Sequence, residues 1–246
     1  MAPADPLALD GARILVTNVN GFVGLPAAAA CAARGAHVLC HDAAFADAGT
    51  RAAFRRAHPR LTPLHAQTPA DLAHETGPLA CAIFNDDHPA LRAPLAPAAV
   101  DELRAALEAL CVEPFARAAE LVAAMRRRGG GKFVFVTSAA PLRGIANYAP
   151  YVAARGAANA LVKTLAVELA RDDIKVVGFA PNFVASPTYF PDELLADPAK
   201  RAKIEANIPL GRLASPAEAG AALAFLASPA ADFLTGAVLP FAGGWA

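Results

Sequence analysis

Short apolar or β-branched runs alternate along this chain with longer stretches of helical spacing, and that alternation constrains the fold more than any other feature. Strands are predicted at Arg13–Thr17, His37–His41, Leu61–His65, Leu79–Phe84, Lys132–Thr137, Ile174–Phe179 and Ala237–Phe241. Helical spacing covers Phe22–Arg34, Ala98–Arg128, Tyr151–Arg171 and Pro216–Ala227. The expectation is an α/β, doubly wound fold, with a seven-stranded parallel sheet flanked by helices. Pro114 should break or kink the long Ala98–Arg128 segment, and Arg126-Arg127-Arg128 before Gly129-Gly130-Gly131 reads as a helix terminus. No linker-like composition and no repeat divides the chain, so residues 1–246 are expected to form a single domain. The stretch from Pro181 to about Pro198 is expected to be irregular, and loops of that length tend to cover sites.

The 22 Lys and Arg balance 22 Asp and Glu across 246 residues, leaving no positive excess for a nucleic-acid backbone. Hydrophobic residues make up 56% and the mean hydropathy is +0.36, but the excess is largely alanine. Every apolar stretch is interrupted before about 18 residues, so no membrane partner is expected. The start, MAPADPLALDGAR, lacks the basic and apolar pattern of a secretory signal, and the expected compartment is the cytoplasm. Cysteines 31, 40, 81 and 111 show no tight pairing and read as reduced, buried thiols. Histidines 37, 41, 58, 65, 74 and 88 do not fall in a ligand pattern, so no metal is expected.

Two constellations carry chemistry. After the first strand, Thr17 leads into Asn18-Val19-Asn20-Gly21-Phe22-Val23-Gly24 and an alanine-rich helix. A nucleotide-binding sheet keeps its glycine-rich turn here. A phenyl ring at Phe22 would project into the volume that a pyrophosphate needs, or would pack into the core. Asp42, at the end of the second strand, points the other way, since an acidic residue there holds ribose hydroxyls in NAD-dependent folds, or is simply solvated.

The second constellation is Ser138 at the end of the fifth strand, Tyr151 thirteen positions later, and Arg155 four beyond that. Tyr151 and Arg155 share a helical face. The serine hydroxyl can hold an oxygen and the phenol can exchange its proton, while a nearby cation favours the phenolate needed of a general base.

The chain resembles the short-chain dehydrogenase/reductase superfamily over nearly its whole length, which implies a Rossmann-like fold. Against the superfamily turn T-G-x-x-x-G-x-G, Thr17 and Gly24 match, while Asn18 and Phe22 replace glycines. Against Y-x-x-x-K, Arg155 replaces the lysine that also binds nicotinamide ribose. Both departures spare the acid–base pair. The patterns T-x4-F-x-G and S-x12-Y-x3-R resemble the halohydrin dehalogenases, a cofactor-independent branch. Asn85-Asp86, Pro181-Asn182-Phe183, Ile208-Pro209-Leu210-Gly211-Arg212 and Gly243-Gly244-Trp245 add to the likeness.

The resemblance implies a catalytic set of Ser138, Tyr151 and Arg155 that converts vicinal haloalcohols to epoxides and halide, or opens epoxides with halide, azide, cyanide or nitrite. It implies no cofactor. Halide would lie beside Phe22, Pro181, Asn182, Phe183, Val184 and Phe190, although the loop aromatics and Asn182 could equally just shape their loop. Asp86 either bonds toward Arg155 or terminates its strand. Substrate contacts are expected from Ala140–Tyr148, Asp87–Leu95 and Pro181–Pro198, and a homotetramer from the Ala98–Arg128 and Tyr151–Arg171 faces. The rival readings are an NAD(P)-dependent reductase and a non-catalytic ligand sensor or scaffold.

Overall fold

The computed structural model describes residues 5–97 and 99–246. The strands are β1 (Arg13–Val16), β2 (His37–Cys40), β3 (Leu61–Pro63), β4 (Cys81–Phe84), β5 (Gly131–Val136), β6 (Ile174–Pro181) and β7 (Val238–Phe241). All pairings are parallel, in the order β3-β2-β1-β4-β5-β6-β7. The order reverses between β1 and β4, and the carboxyl ends beside that switch form the binding crevice of a Rossmann-like sheet.

The connecting helices are α1 (Gly24–Ala33), α2 (Ala48–Ala57), α3 (Pro69–Thr76), α4 (Ala99–Leu107), α5 (Glu113–Arg128), α6 (Ala140–Arg143), α7 (Ala149–Leu169), α8 (Asp192–Leu195), α9 (Pro198–Glu205) and α10 (Pro216–Ala227). Period-two alternation divides the core between two faces of the sheet. Ile14 and Val16 pack with Ala27, Ala28, Leu223 and Ala224 under α1 and α10. Leu15 points the other way and packs with Phe133, Leu121, Met125 and Val162 under α5 and α7. Each fully buried Val, Leu, Ile, Phe or Met among them contributes about 1.5–3 kcal/mol. The helix alanines let α1 and α10 approach closely, and a Cβ on Gly220 would lie 2.5 Å from the Pro26 carbonyl oxygen.

The predicted strands are all present, with shifted ends. The third ends at Pro63, a proline tolerated on this edge strand, with the Leu64 N–H still donating to the Cys40 carbonyl at 2.8 Å. The expected Ala98–Arg128 helix is divided, and its first residue, Ala98, lies outside the described residues. The break is a π turn over Glu108–Val112 that precedes Pro114. Proline lacks the N–H for a regular helical bond and clashes with the carbonyl four residues back, and a widened turn relieves both. The first helix starts at Gly24 instead of Phe22, and the Tyr151 helix extends back to Ala149. Sequence reading missed α2, α3, α6, α8 and α9. α3 begins with a Thr68–Asp71 capping box, and Asp47 and Asp197 cap α2 and α9.

Cys31, Cys40 and Cys81 are buried free thiols, and burial pushes those of Cys31 and Cys40 up to about 12. Among the described residues no helix is long and apolar enough to cross a membrane. They also contain no group of three or more His, Cys, Asp or Glu able to hold a metal ion.

Candidate active site

Ser138 follows β5, whose end is fixed where the Thr137 N–H donates to the Phe179 carbonyl at 2.7 Å. Its Oγ accepts from the Ala140 N–H at 3.1 Å, so the hydroxyl proton remains free to be donated. Tyr151 lies in the first turn of α7, where the helix dipole favours negative charge. One turn below, Arg155 Nε donates to Tyr151 Oη at 3.2 Å, as the i, i+4 spacing requires. Arg155 is 1% exposed, and its remaining nitrogens donate to the Val136 carbonyl at 2.9 Å and to Tyr189 Oη at 3.0 Å. Burial opposes the guanidinium charge, but the phenolic oxygens of Tyr151 and Tyr189 raise its pKa above the ordinary arginine value.

A cavity of about 550 Å³ opens in front of these groups. Phe22, Ser138, Tyr151, Pro181, Asn182, Phe183, Val184 and Phe190 all line it. Of the expected residues only Arg155 is absent from the wall, because it stands behind the two phenols. Phe183 packs at 5.8 Å from the Phe190 ring and edge-on to Trp245 at 5.7 Å. Tyr148 and Ala90 bring two of the three expected substrate stretches to the same wall, and Pro181–Val184 with Phe190 brings the third. The Phe22 N–H donates to Thr188 Oγ1, and the Phe183 N–H to Asn182 Oδ1. The Asn182 N–H donates to the Phe241 carbonyl. Among the described residues the Val184 N–H has no acceptor.

The first turn keeps a backbone built for glycine. Phe22 has φ 35° and Phe183 φ 56°, left-handed values that a bulky residue rarely holds. Gly24 is obligatory, since a Cβ there would lie 2.7 Å from the Asn18 carbonyl oxygen and 2.8 Å from Asn85 Nδ2. Asn85, fully buried, ties the turn together by donating to the Asn18 and Gly21 carbonyls, both at 2.9 Å. Polar side chains crowd the mouth of this turn. Asp87 accepts from Asn18 Nδ2 at 2.8 Å and from Thr188 Oγ1 at 2.6 Å, and its Oδ2 stands 2.7 Å from where a Gly21 Cβ would be. Asp42 is buried, and its two oxygens accept from the Asn20 and Ala44 N–H groups. It caps the short turn Ala43–Ala46 and is buried, so the solvated reading does not describe it.

Asp86 takes neither expected role, because its carboxylate pairs with Arg117. Burial pushes its carboxyl up against the pull of that cation. Two residues that organise this region escaped sequence reading. Tyr189 carries no periodic signal, although it precedes Phe190 in the irregular Pro181–Pro198 stretch. Arg117 lies on the solvated-looking face of a helix and meets its partner 31 residues away.

With this geometry in hand, a family profile described as enoyl-(acyl carrier protein) reductase matches residues 16–246. A solved structure called a dehalogenation enzyme is 46% identical with a TM-score of 0.94, over 97% of this chain and 99% of that one. A halohydrin dehalogenase bound to ethyl (2S)-oxiran-2-ylacetate is 35% identical with a TM-score of 0.90, over 94% of this chain and 96% of that one. The chain belongs to the short-chain dehydrogenase/reductase superfamily, on its halohydrin dehalogenase branch.

Within the superfamily, the cis-4-hydroxycyclohexanecarboxylate dehydrogenase of Sinomonas cyclohexanicum is 33% identical over 94% of this chain and 95% of its own length. Two other curated relatives, reductases by name, are matched over only 43% and 44% of their own lengths. The halohydrin dehalogenase likeness and the reductase likeness therefore share one fold, and the side chains of the site distinguish them.

Proposed function

We propose that the cavity converts vicinal haloalcohols to epoxides without a cofactor, and runs the reverse ring opening with halide or with azide, cyanide or nitrite. The observation that carries this reading is the pairing of a Tyr151–Arg155 base with a turn whose phosphate space is filled by Phe22, Asn18 and Asp87. A dinucleotide does not fit those residues. Its phosphates would displace a carboxylate held by two hydrogen bonds, and its ribose would find Asp42 already engaged.

Ser138 donates to the substrate hydroxyl and Tyr151 Oη removes its proton. The alkoxide then attacks the neighbouring carbon, forming a C–O bond as the C–halogen bond breaks, and the bonding pair leaves with the halide. No electrons pass to a cofactor. The protein fixes the anti arrangement and supplies the base, which contributes typically 10²–10⁴-fold. The departing anion meets the positive edges of Phe22, Phe183 and Phe190 and the Val184 N–H. Helix faces bearing exposed Val112, Phe115 and Val167 are suited to a four-helix contact, in keeping with a homotetramer.

Halide release from a simple bromo- or chloro-alcohol, with no nicotinamide added, tests the reading. Tyr151→Phe should abolish it, and the wild type should accelerate opening of an epoxide by azide. The dehydrogenase relatives support the rival, an NAD(P)-dependent reductase. Micromolar binding of NADH or NADPH, read from nicotinamide fluorescence, would overturn the proposal in favour of that rival.

A further inference from the structure

Arg155 is a buried cation whose polar contacts are two phenols and one backbone carbonyl. The nearby charged groups are engaged elsewhere: Asp86 with Arg117, Asp87 with Asn18 and Thr188, and His88 with Glu102. Both phenol oxygens are therefore candidates to carry the negative charge that offsets the guanidinium.

Their surroundings differ. Tyr189 Oη donates to the His88 carbonyl at 3.0 Å while accepting from Arg155 Nη2 at 3.0 Å and, more distantly, from the His88 N–H at 3.4 Å. A carbonyl oxygen can only accept, so a phenolate at Tyr189 would set two electron-rich oxygens against each other. Tyr151 Oη has no such carbonyl; it accepts from Arg155 Nε and faces the cavity. The Tyr189 ring is held edge-on by Phe22 at 4.9 Å, so the clamp cannot easily turn.

Resting on the dehalogenation reading, we propose that Tyr189 is a positioning residue: it keeps its proton, grips the outer nitrogen of Arg155, and thereby directs the guanidinium charge onto Tyr151. Burial pushes the Tyr189 phenol up from its ordinary range, which agrees with a retained proton.

The chain has only three tyrosines, 148, 151 and 189, and all line the cavity, so tyrosinate absorbance reports on this site alone. Titrations of the full-length wild type, Tyr151→Phe and Tyr189→Phe test the proposal. Tyr151→Phe should remove the earliest ionisation, whereas Tyr189→Phe should keep it, moved alkaline by about one pH unit. In halide release, Tyr189→Phe should lower kcat about tenfold at neutral pH, with KM little changed and the deficit closing at high pH. Loss of the earliest ionisation in Tyr189→Phe, no change at all, or an equal loss of rate at every pH would each overturn the proposal. The absorbance titration needs no substrate. A wild type that released no halide would count against the proposed reaction, and the clamp would still be decided by the absorbance.

Discussion

The ring of Phe22 meets the ring of Tyr189 edge-on, with centroids 4.9 Å apart and planes 89° apart. A residue of the first loop thus braces the phenol that holds Arg155, and the altered turn and the base become parts of one assembly. The two departures from the redox pattern at Phe22 and Arg155 are joined through Tyr189, 34 residues beyond Arg155 in the chain.

Arg155→Lys restores the superfamily's usual lysine, and halide release should nevertheless fall by about 10²-fold or more. A single ammonium cannot reproduce the planar fork that serves Tyr151, Val136 and Tyr189 together. Arg155→Met should also destabilise the fold by about 3 kcal/mol, because it removes the buried donor that serves Tyr151, Val136 and Tyr189 together. Steady-state kinetics and urea unfolding check the two parts.

Replacing Phe22 by Gly relieves the left-handed strain at φ 35° but empties part of the cavity wall. The lost packing outweighs the relief, for a net loss of about 2 kcal/mol in urea unfolding. On the proposed reading NADH binding should not appear in this variant, since Asp87 and Asn18 still crowd the turn. Nicotinamide fluorescence would detect it if it did.

Gly220→Ala should lower the unfolding midpoint. The added methyl would meet the Pro26 carbonyl oxygen at 2.5 Å, so α1 and α10 must part, at about 1–3 kcal/mol. Because this contact lies under the helices, away from the cavity, kcat should change little. Thermal melts paired with an activity assay distinguish the two effects.

Burial, and then the charge of Arg117, push the His41 imidazole down from 6.5 to about 4. The unfolded chain therefore binds a proton that the folded one refuses between those values, and stability rises with pH across that window. It should be complete above about pH 6.5, fall as pH drops toward 4, and level off below, by roughly 3 kcal/mol at most from this residue. His41→Gln should flatten that part of the curve in urea unfolding measured across the pH series.

The sheet was legible because each strand is an apolar run bounded by turn residues, and the Tyr151–Arg155 pair because four residues is a helical turn. Polar helices such as α2 and α9 were missed because they bury little, although Asp47 and Asp197 mark their starts. Contacts made by folding alone left no trace. Asn18 and Asp87 are 69 residues apart, and nothing in either neighbourhood announces the other. Tyr189 sits in a loop, where periodicity says nothing about which aromatic points inward.

The carboxylate of Asp87, placed where another protein would receive a phosphorylated guest, also has a meaning for the cell. On the proposed reading, like charge and two satisfied hydrogen bonds turn away every abundant nucleotide, oxidised or reduced. Halide removal would then proceed at a pace indifferent to the metabolic state around it, insulated from the redox balance to which its relatives are bound.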